Sequence, residues 1–189
     1  MIIRWITGVI FAGVAGTALW LGHLAWGIFL LGFLVLAALE WKRLGALQDP
    51  ALPCTLIIAT LIFVFSFTYQ SYFLSFLPLL LVFPAISVLG RQQSRRAQTL
   101  VWSAGGILWL SLPTALLYFT REEFGWEVVA LLLVATIGQD TFALYGGMLF
   151  GSSRPFAPGI SPNKTWAGGI SAVLAAVVIT IAGGIYLGW

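Results

Sequence analysis

Residues 138–168 read GQDTFALYGGMLFGSSRPFAPGISPNKTWAG and join two long apolar segments through a basic loop rich in glycine and proline. Asp140 is the one acidic residue of this stretch, and it lies inside an otherwise apolar run. Because a carboxylate at the centre of a bilayer costs about 3 kcal/mol on insertion scales, an acid retained there is a candidate functional residue. The stretch therefore indicates a membrane protein with a functional site near its basic loop.

The composition of the whole chain is that of an integral membrane protein. Of its 189 residues, 60% are hydrophobic and only 8% are charged. A soluble domain of this length cannot bury so much apolar surface. The net charge of +3 comes from basic residues in short loops, which indicates membrane topology and not a nucleic-acid partner. The single Cys54 excludes a disulfide or a cysteine zinc site within the chain.

Apolar runs of about 20 residues predict an all-α, polytopic helical bundle with about seven transmembrane helices in one domain, residues 1–189. We expect an N-terminal hairpin over 6–39, made of spans 6–22 and 24–39, followed by core helices between 51 and 187. The predicted core spans are 51–69, 72–90, 99–119, 126–149 and 163–187. Strands are not expected, because the runs lack the alternation of a membrane barrel.

The distribution of basic residues predicts a cytoplasmic N-terminus. With that orientation, eight of the nine Lys and Arg fall on the inner side, as the positive-inside rule requires. The loop 151–165 then lies in the cytoplasm, where nucleotides are. Tryptophans fall near the predicted outer boundaries, as in an aromatic belt: Trp20, Trp26, Trp126 and Trp189.

Helical spacing places Asp140 on a stripe of small or polar residues, namely Thr136, Asp140, Ala143, Gly147 and Gly151. Since small residues allow a neighbouring helix to approach closely, we expect this stripe to face the interior of the bundle and to carry Asp140 with it. The functional interpretation is a metal or proton ligand in a polar cavity. The alternative is a structural hydrogen bond to a neighbouring helix.

Ser161-Pro162 predicts the start of a helix, with Ser161 as N-cap and Pro162 in the first helical position. Lys164 would then lie in the first turn, where the helix dipole already places positive charge. A bound phosphate would remove this conflict, held by backbone N–H groups, Lys164 and the two hydroxyls. The alternative is that Lys164 extends to the lipid headgroups. The segment is not a Walker A loop.

Three further groups of polar residues have simpler interpretations. Arg91, Arg95 and Arg96 are candidates for binding anionic lipid headgroups, with the setting of topology as the alternative. His23 is expected to be a polar turn residue, and residues 40–43, Glu-Trp-Lys-Arg, are expected to be an interfacial anchor.

These motifs resemble those of the phosphatidate cytidylyltransferase (CDP-diacylglycerol synthase) family. The family pattern is roughly Asp-Ser/Thr-x-Ala, then Gly-x-x-Phe-Gly, then Ser-Pro-x-Lys-Thr-Trp-Glu-Gly. This chain carries the three parts at residues 140–143, 147–151 and 161–168. It departs from the pattern at Ala167, where the family commonly has Glu or Gln, so any polar role there is lost.

The resemblance implies an enzyme that transfers the CMP moiety of CTP to phosphatidic acid, giving CDP-diacylglycerol and pyrophosphate in phospholipid synthesis. It implies Mg²⁺ held by Asp140, catalytic roles for Asp140 and Lys164, and phosphate contacts from Ser161, Asn163, Lys164 and Thr165. It also implies a bacterial inner membrane protein, surrounded by membrane lipids, whose active face is cytoplasmic.

Family members continue past this region with an acidic and basic signature that is absent from residues 1–189. The resemblance therefore implies that the chain alone has little activity, and that a complementary C-terminal segment or a second copy of the chain is a partner. From the residues alone, two other classes stay open. One is a small ion- or proton-coupled transporter that uses Asp140, and the other is a non-catalytic membrane scaffold.

Overall fold

The computed structural model describes residues 2–45, 52–69, 101–150, 155–157 and 161–188. The chain divides into two compact units, Met1–Glu123 and Phe124–Trp189. The predicted span 72–90 lies outside the described residues, as do Arg91, Arg95 and Arg96.

The first unit is helical throughout its described part. Its helices are α1 (Ile2–Leu21), α2 (His23–Leu44), α3 (Leu52–Thr68) and α4 (Val101–Phe124). Gly22 reverses the chain between α1 and α2 with φ of +122°, a conformation that residues with a side chain rarely adopt. A cluster of buried residues from α2, α3 and α4 forms the core: Ala38, Leu56, Ala59, Phe63, Ile107 and Ala115.

Helix α4 contains a π turn over Ile107–Ser111. Pro113 follows this turn by two residues, and a proline inside a regular α-helix lacks an N–H and clashes with the carbonyl four residues before it. The wider turn, in which the Leu112 N–H donates to the Ile107 carbonyl, accommodates that conflict. The Ser111 hydroxyl donates to the Leu56 carbonyl at 2.9 Å and so ties the π turn to α3.

Trp41, which belongs to the predicted interfacial anchor at residues 40–43, packs inside the first unit. Its indole N–H donates to the Trp102 carbonyl at 2.9 Å, and the two rings meet edge to face with centroids 5.1 Å apart. Gly106 leaves room for the indole, because a Cβ added there would lie 3.1 Å from Trp41 Nε1. Trp41 therefore connects α2 to α4 by packing and by a hydrogen bond.

A polar cluster joins the turn between α1 and α2 to the end of α4. The Arg121 guanidinium donates to the Leu19 carbonyl from Nε at 3.3 Å and from NH2 at 3.2 Å. It also pairs with Glu122 at 3.3 Å, and His23 Nδ1 lies 3.4 Å from the same carboxylate. Arg121 thus satisfies the Leu19 carbonyl in the last turn of α1, where a cation is also favoured by the helix dipole. His23 is thus part of this cluster as well as a turn residue.

The second unit is a pair of helices with a small hairpin of strands between them. Its elements are α5 (Trp126–Phe150), β1 (Pro155–Ala157), β2 (Ser161–Thr165) and α6 (Trp166–Tyr186). The strands are antiparallel, with Pro155 opposite Thr165 and Ala157 opposite Ser161. The expectation of no strands is therefore wrong at this point. The residue before a proline is pushed into the extended region, and prolines are tolerated in the edge strands of which this sheet consists.

Glycines allow α5 and α6 to pack closely along their length. A Cβ added at Gly168 would lie 2.7 Å from the Ala143 carbonyl oxygen, and one added at Gly146 would collide with the Ser171 side chain. At the other end of the pair, Gly138 and Gly183 make room for Ile179 and Leu131. Because lipid tails are as apolar as the helices, such close packing is a main source of helix association in a membrane.

Four described helices are long and apolar enough to cross a membrane: α2, α4, α5 and α6. Shorter apolar stretches, Gly8–Leu21 and Thr55–Thr68, lie in α1 and α3. The all-α membrane class is therefore confirmed, with the small β-hairpin as an addition to it. The count of seven helices, the single domain and the cytoplasmic N-terminus stay predictions.

Replacing Trp41 by Phe removes the indole N–H and part of the ring that fills the space beside Gly106. We expect the free energy of unfolding to fall by about 1–2 kcal/mol, from the lost hydrogen bond and the lost packing. Unfolding by SDS in mixed micelles, followed by circular dichroism, measures it. The control is Trp109→Phe, since Trp109 is 75% exposed. Equal effects of the two changes would contradict a bridging role for Trp41.

Gly168→Ala and Gly169→Ala form a matched pair, because both add one methyl group to the first turns of α6. A Cβ at Gly169 has nothing within 4 Å, whereas one at Gly168 meets the α5 backbone. We expect Gly168→Ala to destabilise the protein by about 1–3 kcal/mol and Gly169→Ala to be neutral or stabilising by up to about 1 kcal/mol. Unfolding by SDS, followed by circular dichroism, measures the stability of both variants. Equal stabilities would show that α5 and α6 do not meet at this level.

Candidate functional site

Asp140 lies on α5 and its side chain is exposed. Helix α6 packs on the side of α5 that carries Gly138 and Gly146. Two residues further along an α-helix of 3.6 residues per turn, Asp140 lies about 160° around the axis from Gly138. At its own level on α5, Asp140 therefore lies off the seam, whereas Gly147, seven residues later, returns to within about 20° of the same direction and contacts the start of α6.

The predicted stripe of small and polar residues on α5 divides into two parts within the described residues, which do not include Gly151. Ala143 and Gly147 lie against α6, near Gly168 and Thr165 respectively. Thr136 and Asp140 are exposed, so neither packs in the seam with α6, and the expectation that Asp140 faces the interior of the whole bundle stays a prediction. The reason is that the seam follows Gly138 and Gly146, which allow closer approach than Thr136 and Asp140 would.

Helix α6 begins at Trp166, and Thr165 is its N-cap with φ −114° and ψ 153°. The Gly168 N–H donates to the Thr165 hydroxyl oxygen at 3.2 Å, which is the usual N-cap hydrogen bond. The prediction that Ser161 caps the helix and that Pro162 starts it is wrong, because both residues belong to β2. Lys164 accordingly lies just before the N-cap and outside the first turn. The conflict between the Lys164 charge and the helix dipole, which a bound anion was expected to relieve, is therefore absent.

The segment that precedes α6 still gathers polar groups at one end of the helix pair. Lys164 is exposed, while Ser161 and Thr165 are half-buried. The backbone of Asn163 lies in β2 between them. The N-terminus of a helix favours anions through its dipole and its N–H groups. This end of α6 is therefore electrostatically suited to phosphate, with Lys164 adding a full positive charge.

Asp140 and Lys164 lie in the same unit, but they are separated along the direction of the α5 axis. Thr165 is level with Gly147, because a Cβ added at Gly147 would lie 3.1 Å from the Thr165 hydroxyl oxygen. Asp140 precedes Gly147 by seven residues, which is about 10 Å along a helix axis. Within the described ranges the two charged groups form no ion pair with each other.

The described acidic residues can supply few protein ligands to a metal ion. No group of three His, Cys, Asp or Glu side chains comes together among the residues that the structure describes. In the second unit, the described acids Glu127 and Asp140 stand 13 residues apart on α5, which is about 20 Å along its axis. Mg²⁺ is commonly held by one or two carboxylates together with substrate phosphates and water. Asp140 fits that mode as a single protein ligand.

The residues that shape this end of the unit are mostly ones that sequence reasoning did not select. Gly146, Gly168 and Ser171 set how closely α5 and α6 approach each other. Their signal in the sequence is the recurrence of small residues in both apolar runs. That signal predicts close packing of helices, but it does not say which pairs of residues meet.

Comparison with known proteins agrees with the resemblance of the motifs. Residues 2–189 match the model of the cytidylyltransferase family. A phosphatidate cytidylyltransferase of Brucella abortus is 25% identical over 181 residues, which cover 92% of this chain and 64% of that protein. One from Rickettsia prowazekii is 35% identical over 77 residues, covering 40% of this chain and 33% of the relative. This chain thus spans 64% of the length of its Brucella relatives. Since the family match extends over nearly every residue, the chain belongs to the cytidylyltransferase family.

Proposed function

We propose that this chain takes part in the transfer of CMP from CTP to phosphatidic acid, which yields CDP-diacylglycerol and pyrophosphate. The observation that carries the proposal is the family match over residues 2–189, together with relatives named phosphatidate cytidylyltransferases. The transporter and scaffold alternatives find no support in that family.

The phosphates of CTP would bind where β2 meets α6. Lys164 is exposed immediately before the helix, so its ammonium group is available to an anion from the aqueous side. The dipole of α6 and the hydroxyl of Ser161 add to the attraction. Asn163, whose backbone lies in β2 between Ser161 and Lys164, is the remaining candidate for a phosphate contact.

Asp140 would contribute negative charge to the same site from α5. When Mg²⁺ is bound by Asp140 and the phosphates of CTP, it would neutralise the triphosphate and the departing pyrophosphate. A carboxylate about 10 Å from the level of Thr165 leaves space for an extended ligand between them.

In the reaction, a phosphate oxygen of phosphatidic acid attacks the α-phosphorus of CTP. The new P–O bond forms as the bond from the α-phosphorus to the bridging oxygen of the β-phosphate breaks, and pyrophosphate leaves. Both reactants are anions, so the barrier comes largely from charge repulsion and alignment. Lys164 and the α6 dipole would reduce the repulsion. The apolar surfaces of α5 and α6 would leave the acyl chains of the lipid in the bilayer.

We propose a cytoplasmic orientation for this site and a bacterial inner membrane as its location, since the basic residues favour one side of the membrane. Arg91, Arg95 and Arg96 would then lie at the inner leaflet, where they are candidates for contacts with anionic headgroups. A second copy of the chain or a complementary segment of the family is the proposed protein partner.

The direct test is release of pyrophosphate from CTP, Mg²⁺ and phosphatidic acid in detergent micelles. It is run with the purified chain alone and with the chain plus the part of the Brucella abortus relative that lies outside the alignment. Release that depends on phosphatidic acid in either mixture supports the proposal. No release in both mixtures contradicts it. Full turnover by the chain alone would refute the expectation that it has little activity unaided.

Asp140→Asn removes the negative charge while keeping the size of the side chain. In a mixture that shows transfer, we expect kcat to fall by about 100-fold or more, and the Mg²⁺ concentration for half-maximal rate to rise, because a neutral amide is a poorer magnesium ligand. The control is Glu127→Gln, at the far end of the same helix, which should change neither quantity. Similar losses in both variants would refute a specific role for Asp140.

Lys164→Ala removes the cation beside the N-terminus of α6. We expect the KM for CTP to rise by about tenfold or more, because a charge-assisted hydrogen bond contributes about 1.5–3 kcal/mol. The KM should also become less sensitive to salt, since one screened attraction is lost. Lys42→Ala, in the other unit, is the control for loss of a lysine. An unchanged KM for CTP in the Lys164 variant would remove Lys164 from the phosphate site.

A further inference from the structure

We propose that Thr165 is a positioning residue, which holds Lys164 at a fixed place beside α5, and that it is not a phosphate ligand. This inference rests on the proposed function for its effect on catalysis. It assigns Thr165 a different role from the phosphate contact that the family resemblance implies.

The Thr165 hydroxyl already has two neighbours within its own unit. Its oxygen accepts the Gly168 N–H at 3.2 Å, which fixes the first turn of α6. The same oxygen lies against α5, where a Cβ at Gly147 would come within 3.1 Å of it. The side chain is half-buried, whereas the neighbouring Lys164 is exposed. Thr165 therefore lies between the two helices, whereas Lys164 is exposed.

The backbones of α5 and α6 meet at the same level. Gly168 is buried and would bring an added Cβ to 2.7 Å from the Ala143 carbonyl oxygen. A Cβ at Gly146 would lie 3.4 Å from the Ala167 carbonyl oxygen, besides its collision with Ser171. Contacts with backbone atoms cannot be relieved by a change of rotamer, so the spacing of the helices is fixed here more firmly than at Gly138 or Gly183, whose neighbours are side chains.

These contacts connect Lys164 and Asp140, the two charged groups of the proposed site. Thr165 ends β2, and its cap and its contact with Gly147 fix the position of the Lys164 backbone relative to α5. Asp140 lies on that same helix, two turns before Gly147. Loss of the cap would leave the Gly168 N–H without its acceptor and would let β2 shift along α5. A displacement of about 1 Å can lower a rate by about 100-fold without removing any ligand.

Three substitutions separate positioning from phosphate contact. Thr165→Val keeps the shape but cannot accept the Gly168 N–H, and Thr165→Ser keeps the hydroxyl. Thr165→Gly lacks a hydroxyl, yet glycine is nearly as good an N-cap. We expect Thr165→Val to lower kcat by about 10- to 100-fold with the KM for CTP changed less than about threefold. Thr165→Ser should keep the wild-type kcat. Thr165→Gly should lower kcat much less than Thr165→Val does. Gly169→Ala, which meets nothing within 4 Å, is the unaffected control.

A phosphate contact predicts a different result, in which valine and glycine both raise the KM for CTP and neither is the milder change. That result would overturn the proposal, as would a wild-type kcat in Thr165→Val. Backbone amide exchange of residues 164–169 gives a readout without turnover. It should be faster in Thr165→Val and unchanged in Thr165→Ser. If no mixture shows transfer, the proposed function fails, while the exchange rates still support or refute positioning: equal rates in the valine variant and wild type refute it.

Discussion

The close approach of α5 and α6 at Gly146 and Gly168 is the constraint on which the second unit depends. A side chain at Gly168 would meet the Ala143 carbonyl, so the helices can come this near only where glycine stands. That approach places the Thr165 hydroxyl between the helices, and the hydroxyl in turn fixes the residue at which α6 begins. The β-hairpin with Lys164 is attached to this junction. The polar end of the unit is thus positioned by its most tightly packed part.

The first unit is organised on a different principle, with polar side chains that connect its helices. Trp41 binds the backbone of α4, Ser111 binds that of α3, and Arg121 binds the end of α1. Each is a side-chain donor to a carbonyl group, and each joins residues far apart in the chain. Since apolar contact between helices has little advantage over contact with lipid, these bonds give direction to packing that would otherwise be unspecific.

The membrane class and the family could be predicted from the sequence, because both depend on features that act locally. Apolar runs interrupted by charged loops indicate helices that cross a membrane, and the motif from Asp140 to Gly168 indicates the family, which the match over residues 2–189 confirms. The residue at which α6 begins was harder to predict from the sequence. Ser161-Pro162 and Thr165 both fit the preferences of a helix start. Because Ser161–Thr165 pairs with β1 as a strand, the helix begins only after Thr165. The exposure of Asp140 could not be predicted either, since several faces of α5 are small enough to pack. Which face is used depends on how the glycines of α5 and α6 match one another.

The π turn of α4 has a consequence for every residue after it. One additional residue between Gly106 and Leu112 rotates the rest of the helix by about 100° relative to a regular α-helix. The hydrophobic pattern of α4 is therefore out of phase across this turn, and a helical wheel drawn through it would assign Arg121 to the wrong side. Loss of a single residue from the turn would swing the guanidinium away from the end of α1, so the length of this segment matters as much as its composition.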